Sequence, residues 1–213
     1  MKAILKILRK VSNKIKMLNK KVLVIAAHPD DETIWIGGTL LKNKDKWDIT
    51  IISLCRKDDK DRAPKFKVVC DKLNAKCFMS DLDDSETGDF KKILNEDIIK
   101  RVLQFTNGKS YDYILTHGEN GEYGHIRHIE VHNAVTEMLN KKLLQCKKVF
   151  FFSYFKNEKN GICCVNENAD KFIRLSKLHF NKKKNLIQDI YGFEENSFEN
   201  RCCLDKETFD IKH

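Results

Sequence analysis

The chain has 213 residues, 41% hydrophobic and 33% charged, with 40 basic against 31 acidic side chains and a formal net charge of +9. That length supports one α/β domain with a sizeable core. The basic excess favours anionic partners, but the lysines are scattered and no aromatic-interleaved stacking motif accompanies them, which speaks against a nucleic-acid partner.

Residues 1–20 place Ile4, Ile7, Leu8, Val11, Ile15 and Leu18 three or four apart, with lysines between them, as in a basic amphipathic helix. No apolar run there is long enough for a signal peptide or a membrane span. Two readings stay open: the helix packs on the domain or a second subunit, or it makes a peripheral contact with an anionic membrane. Residues 21–213 read as one domain. Val22 to Ala27 is an uninterrupted apolar run, a strand buried on both faces. Thr33 to Lys44 reads as a helix, with Gly37-Gly38 allowing close approach to the sheet. Trp47 to Cys55 is a second strand, Asp58 to Leu73 a charged helix and Lys76 to Met79 a short third strand. Ser80 to Asp89 is a polar acidic loop, and Phe90 to Phe105 an amphipathic helix. Tyr111 to Thr116 is the fourth strand, Ile126 to Leu139 a helix and Lys148 to Ser153 the fifth strand.

Beyond Phe155 the pattern decays. Cys163 to Val165 reads as an edge strand, Ala169 to Ile190 as a Lys-rich helix and 192–213 as a polar tail. The eight cysteines contain no C-x-x-C, so no zinc ribbon is supported. Cys55 and Cys70 fall in apolar segments as small core residues, which implies a reducing compartment and a cytoplasmic location. Alternating strands and helices imply right-handed βαβ units. The fold class expected is a Rossmann-like three-layer α/β domain with a mostly parallel sheet.

Two stretches carry chemistry. Val22 to Glu32 reads V-L-V-I-A-A-H-P-D-D-E. Pro29 has no N–H for the ladder, so the strand ends there. It leaves His28 and three carboxylates at its carboxyl end, where open α/β sheets bind ligands. Three adjacent acids repel one another, and a bound cation removes the conflict. The second stretch follows Tyr113-Ile114-Leu115 and reads T-H-G-E-N-G-E-Y-G-H-I-R-H. His125, His128 and His132 are spaced i, i+3, i+7 on one helix face. His28 and Asp31 can turn to one point, with His128 as the natural third metal ligand. Asp30 then stands beside the metal as a general base, and His125 suits the second donor to an oxyanion. Glu32 either bonds to a ligand imidazole or sits near the positive end of the following helix. His132 supports the ligands or is a satisfied core histidine, and His117 ends the fourth strand near the cleft.

H-P-D-D-E after one buried strand and G-H-x-x-H after another resemble the PIG-L/LmbE family of zinc-dependent N-acetylglucosamine deacetylases, over roughly residues 20 to 155. The resemblance implies zinc held by His28, Asp31 and His128, Asp30 as base and His125 as transition-state stabiliser. Iron(II) suits the same N/O ligands. It also implies a small amino-sugar conjugate as substrate and a substrate contact from Arg62. The family's second motif commonly reads G-H-P-D-H, or carries Asn in place of the Asp; here Arg127 stands at that place. Arg127 is read as a contact to a substrate phosphate or as a side chain facing solvent, because neighbours of i, i+3 ligands face away from them. Two competing readings are a catalytically divergent metal-binding protein acting as a binding module, and a nucleotide- or nucleic-acid-binding Rossmann-like domain. The latter lacks G-x-G-x-x-G.

Overall fold

The computed structural model describes residues 19–84, 91–106 and 108–212. The amphipathic helix expected over 1–20 falls, up to residue 18, outside the described residues, as does the second half of the acidic loop expected over 80–89.

Strand β1 spans Lys20–Ala26. Val22 to Ala27 have no solvent exposure, and alternate residues of a strand point to opposite faces. Val22 and Val24 pack in one apolar layer with Trp35, Leu40 and Phe66. Leu23 and Ile25 pack in the other with Ile98, Val102, Val131 and Val135. Each fully buried aliphatic side chain contributes about 1.5–3 kcal/mol, so β1 anchors both cores. β2 (Trp47–Cys55) and β3 (Lys76–Leu82) continue the sheet on one side of β1, and β4 (Ser110–Thr116) and β5 (Gln145–Phe152) on the other. These pairings are all parallel. Helices α1 (Asp31–Ile34), α2 (Gly37–Asn43) and α3 (Arg62–Lys72) lie against the first layer, α4 (Asn95–Thr106) and α5 (Ile126–Asn140) against the second. This is the Rossmann-like three-layer arrangement expected.

The helix expected over Thr33–Lys44 is broken in two. The Asp30 carbonyl accepts from Thr33 and Ile34 N–H, opening the single turn of α1. That turn closes at Trp35, whose indole N–H bonds to Asp31 and whose carbonyl accepts from Tyr154 Oη. α2 restarts at Gly37, where Glu207 accepts from the N–H groups of Gly38 and Thr39. A Cβ on Gly38 would lie 2.2 Å from Leu175 Cδ1, so only glycine allows this approach without a shift. The helix expected from Asp58 begins at Arg62, because Asp59 takes the N–H groups of Asp61 and Arg62 as a cap.

The C-terminal third differs most. Cys163–Val165 (β7) is a strand, but it pairs with Tyr154–Lys156 (β6) in a separate two-stranded sheet. The single helix expected over Ala169–Ile190 is instead strand β8 (Lys171–Arg174), helix α6 (Lys177–Asn185) and a π-helical turn, Leu186–Tyr191. The tail is not structureless. It forms α7 (Phe198–Cys202) and β9 (Lys206–Lys212), and β9 pairs antiparallel to both β5 and β8. The sheet order is β3-β2-β1-β4-β5-β9-β8. All eight cysteines are free thiols. Among the described residues no helix is long and apolar enough to cross a membrane.

Candidate active site

Strand order reverses between β1 and β4, and ligands of open α/β sheets bind at such a switch point, beyond the carboxyl ends of the strands. There lies a cavity of about 230 Å³, lined by His28, Asp30, Asp31, Arg56, Arg62, Trp35, Tyr123, His125, Phe198 and Glu199 among others.

Hydrogen bonds assign the protons of its imidazoles. His28 Nε2 faces Asp84 Oδ1 at 2.9 Å, and Arg56 Nε donates to Asp84 Oδ2 at 2.9 Å. His128 Nδ1 faces Glu122 Oε2 at 2.6 Å. With protons on those nitrogens, His28 Nδ1 and His128 Nε2 meet at 3.2 Å. Asp31 lies 3.4 Å from each: Oδ2 from His28 Nδ1 and Oδ1 from His128 Nε2. Burial opposes ionisation of Asp31, but His128 and His117 outweigh it and hold its carboxyl well below the usual range. Burial also opposes charge on His28, and Asp31 and Asp84 overcome it, raising its pKa well above the ordinary value. Facing lone pairs at this distance need a shared proton or a cation. Donors held tetrahedrally at about 2.0–2.1 Å from zinc lie roughly 3.3 Å apart; the two nitrogens have that spacing, and Asp31 approaches each with a different oxygen. His28, His125 and His128, and Asp31, His117 and His128, are also close enough to hold one ion.

The neighbouring imidazoles are already committed. Ala27 N–H donates to His117 Nε2 at 2.9 Å, so the His117 proton sits on Nδ1, against Glu122 Oε2 at 2.9 Å. His117 is wholly buried and stacks on His128 with centroids 3.9 Å apart. His125 caps α5: its Nδ1 accepts from Arg127 N–H at 3.2 Å, which leaves Nε2–H as a donor. Burial and the neighbouring His128 and His28 lower its pKa to about 3, so it donates as a neutral imidazole.

Asp30 has φ 117° and ψ −29°, a conformation costing of order 1–3 kcal/mol in a non-glycine residue. It is held by Arg62 Nη1, 2.5 Å from its Oδ2, and by Glu32 Oε2, which accepts from its N–H at 3.0 Å. Burial, then the adjacent Asp31, raise its pKa well above the usual carboxylate value. Arg62 lines the cavity and lies over the Phe193 ring at 4.3 Å.

For Glu32 and His132 the structure chooses between the two readings, and for Arg127 it replaces both. Glu32 does not support a ligand imidazole. Its carboxyl, raised to about 7 by burial, takes Asp30 N–H, Thr33 Oγ1 and Tyr191 Oη. His132 Nδ1 faces the His117 carbonyl at 3.0 Å and its ring packs on Phe151, as a satisfied structural histidine. Arg127 neither faces solvent nor lines the cavity. It is fully buried and donates to the carbonyls of Asp83 and Lys91 and to Glu130 Oε2. The guanidinium is closed off from solvent by those two carbonyls and by Glu130. The sequence reading passed over Asp84, Arg56 and Glu122. Glu122 stood inside the second motif, and only the fold shows that its carboxylate reaches two imidazoles.

The fold is thus a three-layer α/β domain with a polar, buried cluster at its switch point. The chain belongs to the PIG-L family: the family model described as GlcNAc-PI de-N-acetylase matches residues 23–139, which carry both motifs. No curated protein matches the chain. Among solved structures it is similar to the N,N'-diacetylchitobiose deacetylase of Pyrococcus horikoshii, at 16% identity and TM-score 0.65, covering 99% of this chain and 92% of that one. It is similar to a deacetylase of the teicoplanin biosynthesis pathway, at 11% identity and TM-score 0.62, covering 85% and 89%. It is also similar to the 4-carboxy-2-hydroxymuconate hydratase of Pseudomonas putida, at 14% identity and TM-score 0.66, covering 90% and 95%. At these identities the likeness is one of fold.

Proposed function

We propose that this chain is a metal-dependent hydrolase that removes the acetyl group from an N-acetylglucosamine-type amino-sugar conjugate. One observation carries the reading: His28 Nδ1, Asp31 and His128 Nε2 converge at 3.2–3.4 Å, while the neighbouring His117 Nε2 and His125 Nδ1 already accept the N–H groups of Ala27 and Arg127. Membership of a de-N-acetylase family supports the reaction class. The N,N'-diacetylchitobiose deacetylase among the similar structures supports an amino-sugar substrate and the teicoplanin-pathway enzyme supports deacetylation; the hydratase shows that the fold alone does not choose the reaction.

A divalent ion bound by His28, Asp31 and His128 supplies Lewis acidity and lowers the pKa of water towards about 7; zinc and iron(II) both suit the donor set. Asp30, at the cavity wall, takes a proton from the attacking water and returns it to the departing amine. Its raised pKa brings it nearer the value such a shuttle needs. Arg62 holds the Asp30 carboxylate in place and is the candidate contact to the sugar. His125 Nε2–H donates to the amide oxygen as charge develops there. Arg127, the one residue that favoured a catalytically divergent binding module, is a buried structural residue and gives that reading no support.

The test is acetate release from N-acetylglucosamine conjugates. Release that stops on chelation and returns with added zinc is the expected result. No release from the zinc-loaded protein, or an unchanged rate after chelation, contradicts the proposal.

A further inference from the structure

Glu122 occupies a backbone position that suits no side chain. Its φ is 61° and its ψ −53°, a conformation that strains any residue with a Cβ. The same turn has glycine at 121 and 124, where φ is also positive. A glycine at 122 would relieve the strain and remove a carboxylate that has no solvent exposure. The carboxylate is instead kept and fully used. Oε2 takes His117 Nδ1 at 2.9 Å and His128 Nδ1 at 2.6 Å, and Oε1 takes Gly118 N–H at 2.8 Å.

Those bonds reach both halves of the site. On one side, a proton fixed on His128 Nδ1 leaves the Nε2 lone pair facing His28 and Asp31. On the other, a proton fixed on His117 Nδ1 leaves Nε2 to accept Ala27 N–H, at the residue before His28. Strain located at a functional site is expected where the surrounding structure over-determines it. We propose that Glu122 is a positioning residue that sets the tautomers of His117 and His128 together, so that one carboxylate locks the end of β1 and orients the α5 ligand towards the same metal. This deepens the metal-hydrolase reading and rests on it for the metal.

The test uses Glu122→Gln, which keeps the side chain's size while replacing one acceptor by an N–H donor. Histidine ¹⁵N NMR on the metal-free protein at pH 10, above the raised pKa of His117 of about 9, should find neutral His117 and His128 with the proton on Nδ1 in the parent chain, and at least one of them switched in Glu122→Gln. Zinc affinity, measured by competition with a chelator in protein shown to be folded by circular dichroism, should fall roughly 10- to 100-fold. A parent chain with the His128 proton on Nε2 overturns the inference without any variant. So does a folded Glu122→Gln protein with unchanged zinc affinity, since a merely structural Glu122 would leave that affinity alone. A parent chain that binds no zinc refutes the metal reading, and the tautomers still judge Glu122 by themselves.

Discussion

At the scale of single residues the site divides its acids by environment. Asp31 is held ionised by two imidazoles, whereas Asp30, one residue earlier, is pushed up by burial and by Asp31 itself. Two adjacent carboxylates shifted in opposite directions indicate two roles. Asp30→Asn is therefore expected to keep full metal content and to lose roughly 10²- to 10⁴-fold in kcat; a near-normal rate at saturating metal would remove Asp30 as the base. Arg127 gives the opposite kind of prediction. Arg127→Ala leaves Glu130 buried without its ion-pair partner, so stability should fall by about 3–5 kcal/mol in urea titration. At temperatures where the variant is folded, KM should stay unchanged; a KM effect without a stability loss would mean that Arg127 meets substrate. That His28, Asp30 and Asp31 gather at one strand end was legible in the sequence, because H-P-D-D-E follows an apolar run directly, and G-H-I-R-H after a second such run placed His125 and His128 at the same edge. The role of Arg127 was not, because helix spacing tells which way a side chain points and nothing about which distant segment lies there.

Among the secondary-structure elements, the buried ion pair of Lys183 and Glu207 joins three that lie far apart in sequence. Lys183 of α6 sits 2.8 Å from Glu207 of β9, both side chains without exposure, and Glu207 also caps the start of α2. α2 follows closely on α1, the turn that begins with Asp31. Lys183→Ala should cost about 3–5 kcal/mol, because it strands a buried carboxylate, and urea unfolding checks this. A loss below 1 kcal/mol would mean that the helix-capping bonds alone satisfy Glu207. The same residues explain why the tail was unreadable. β9 turns a charged Glu207 inward beside Phe209, so its period-2 pattern is masked. In α6 the buried residue is a lysine, so its inward face looked solvated. The parallel strands β1, β2 and β4 were legible because their buried faces are plainly aliphatic.

For the whole molecule, the architecture accounts for the position of the site. The sequence runs outward from β1 to β3, crosses back to β4 and continues to β5, and this reversal opens the cleft into which both motifs project. The central claim is that the cleft holds one divalent metal on His28, Asp31 and His128. The most direct measurement is metal content after zinc loading and dialysis, compared between the parent chain and the His28→Ala, Asp31→Ala, His128→Ala and His125→Ala proteins. The account predicts one zinc per parent chain, a sharp loss in each of the first three variants and retention in His125→Ala. Full occupancy in His128→Ala, or loss confined to His125→Ala, would contradict it.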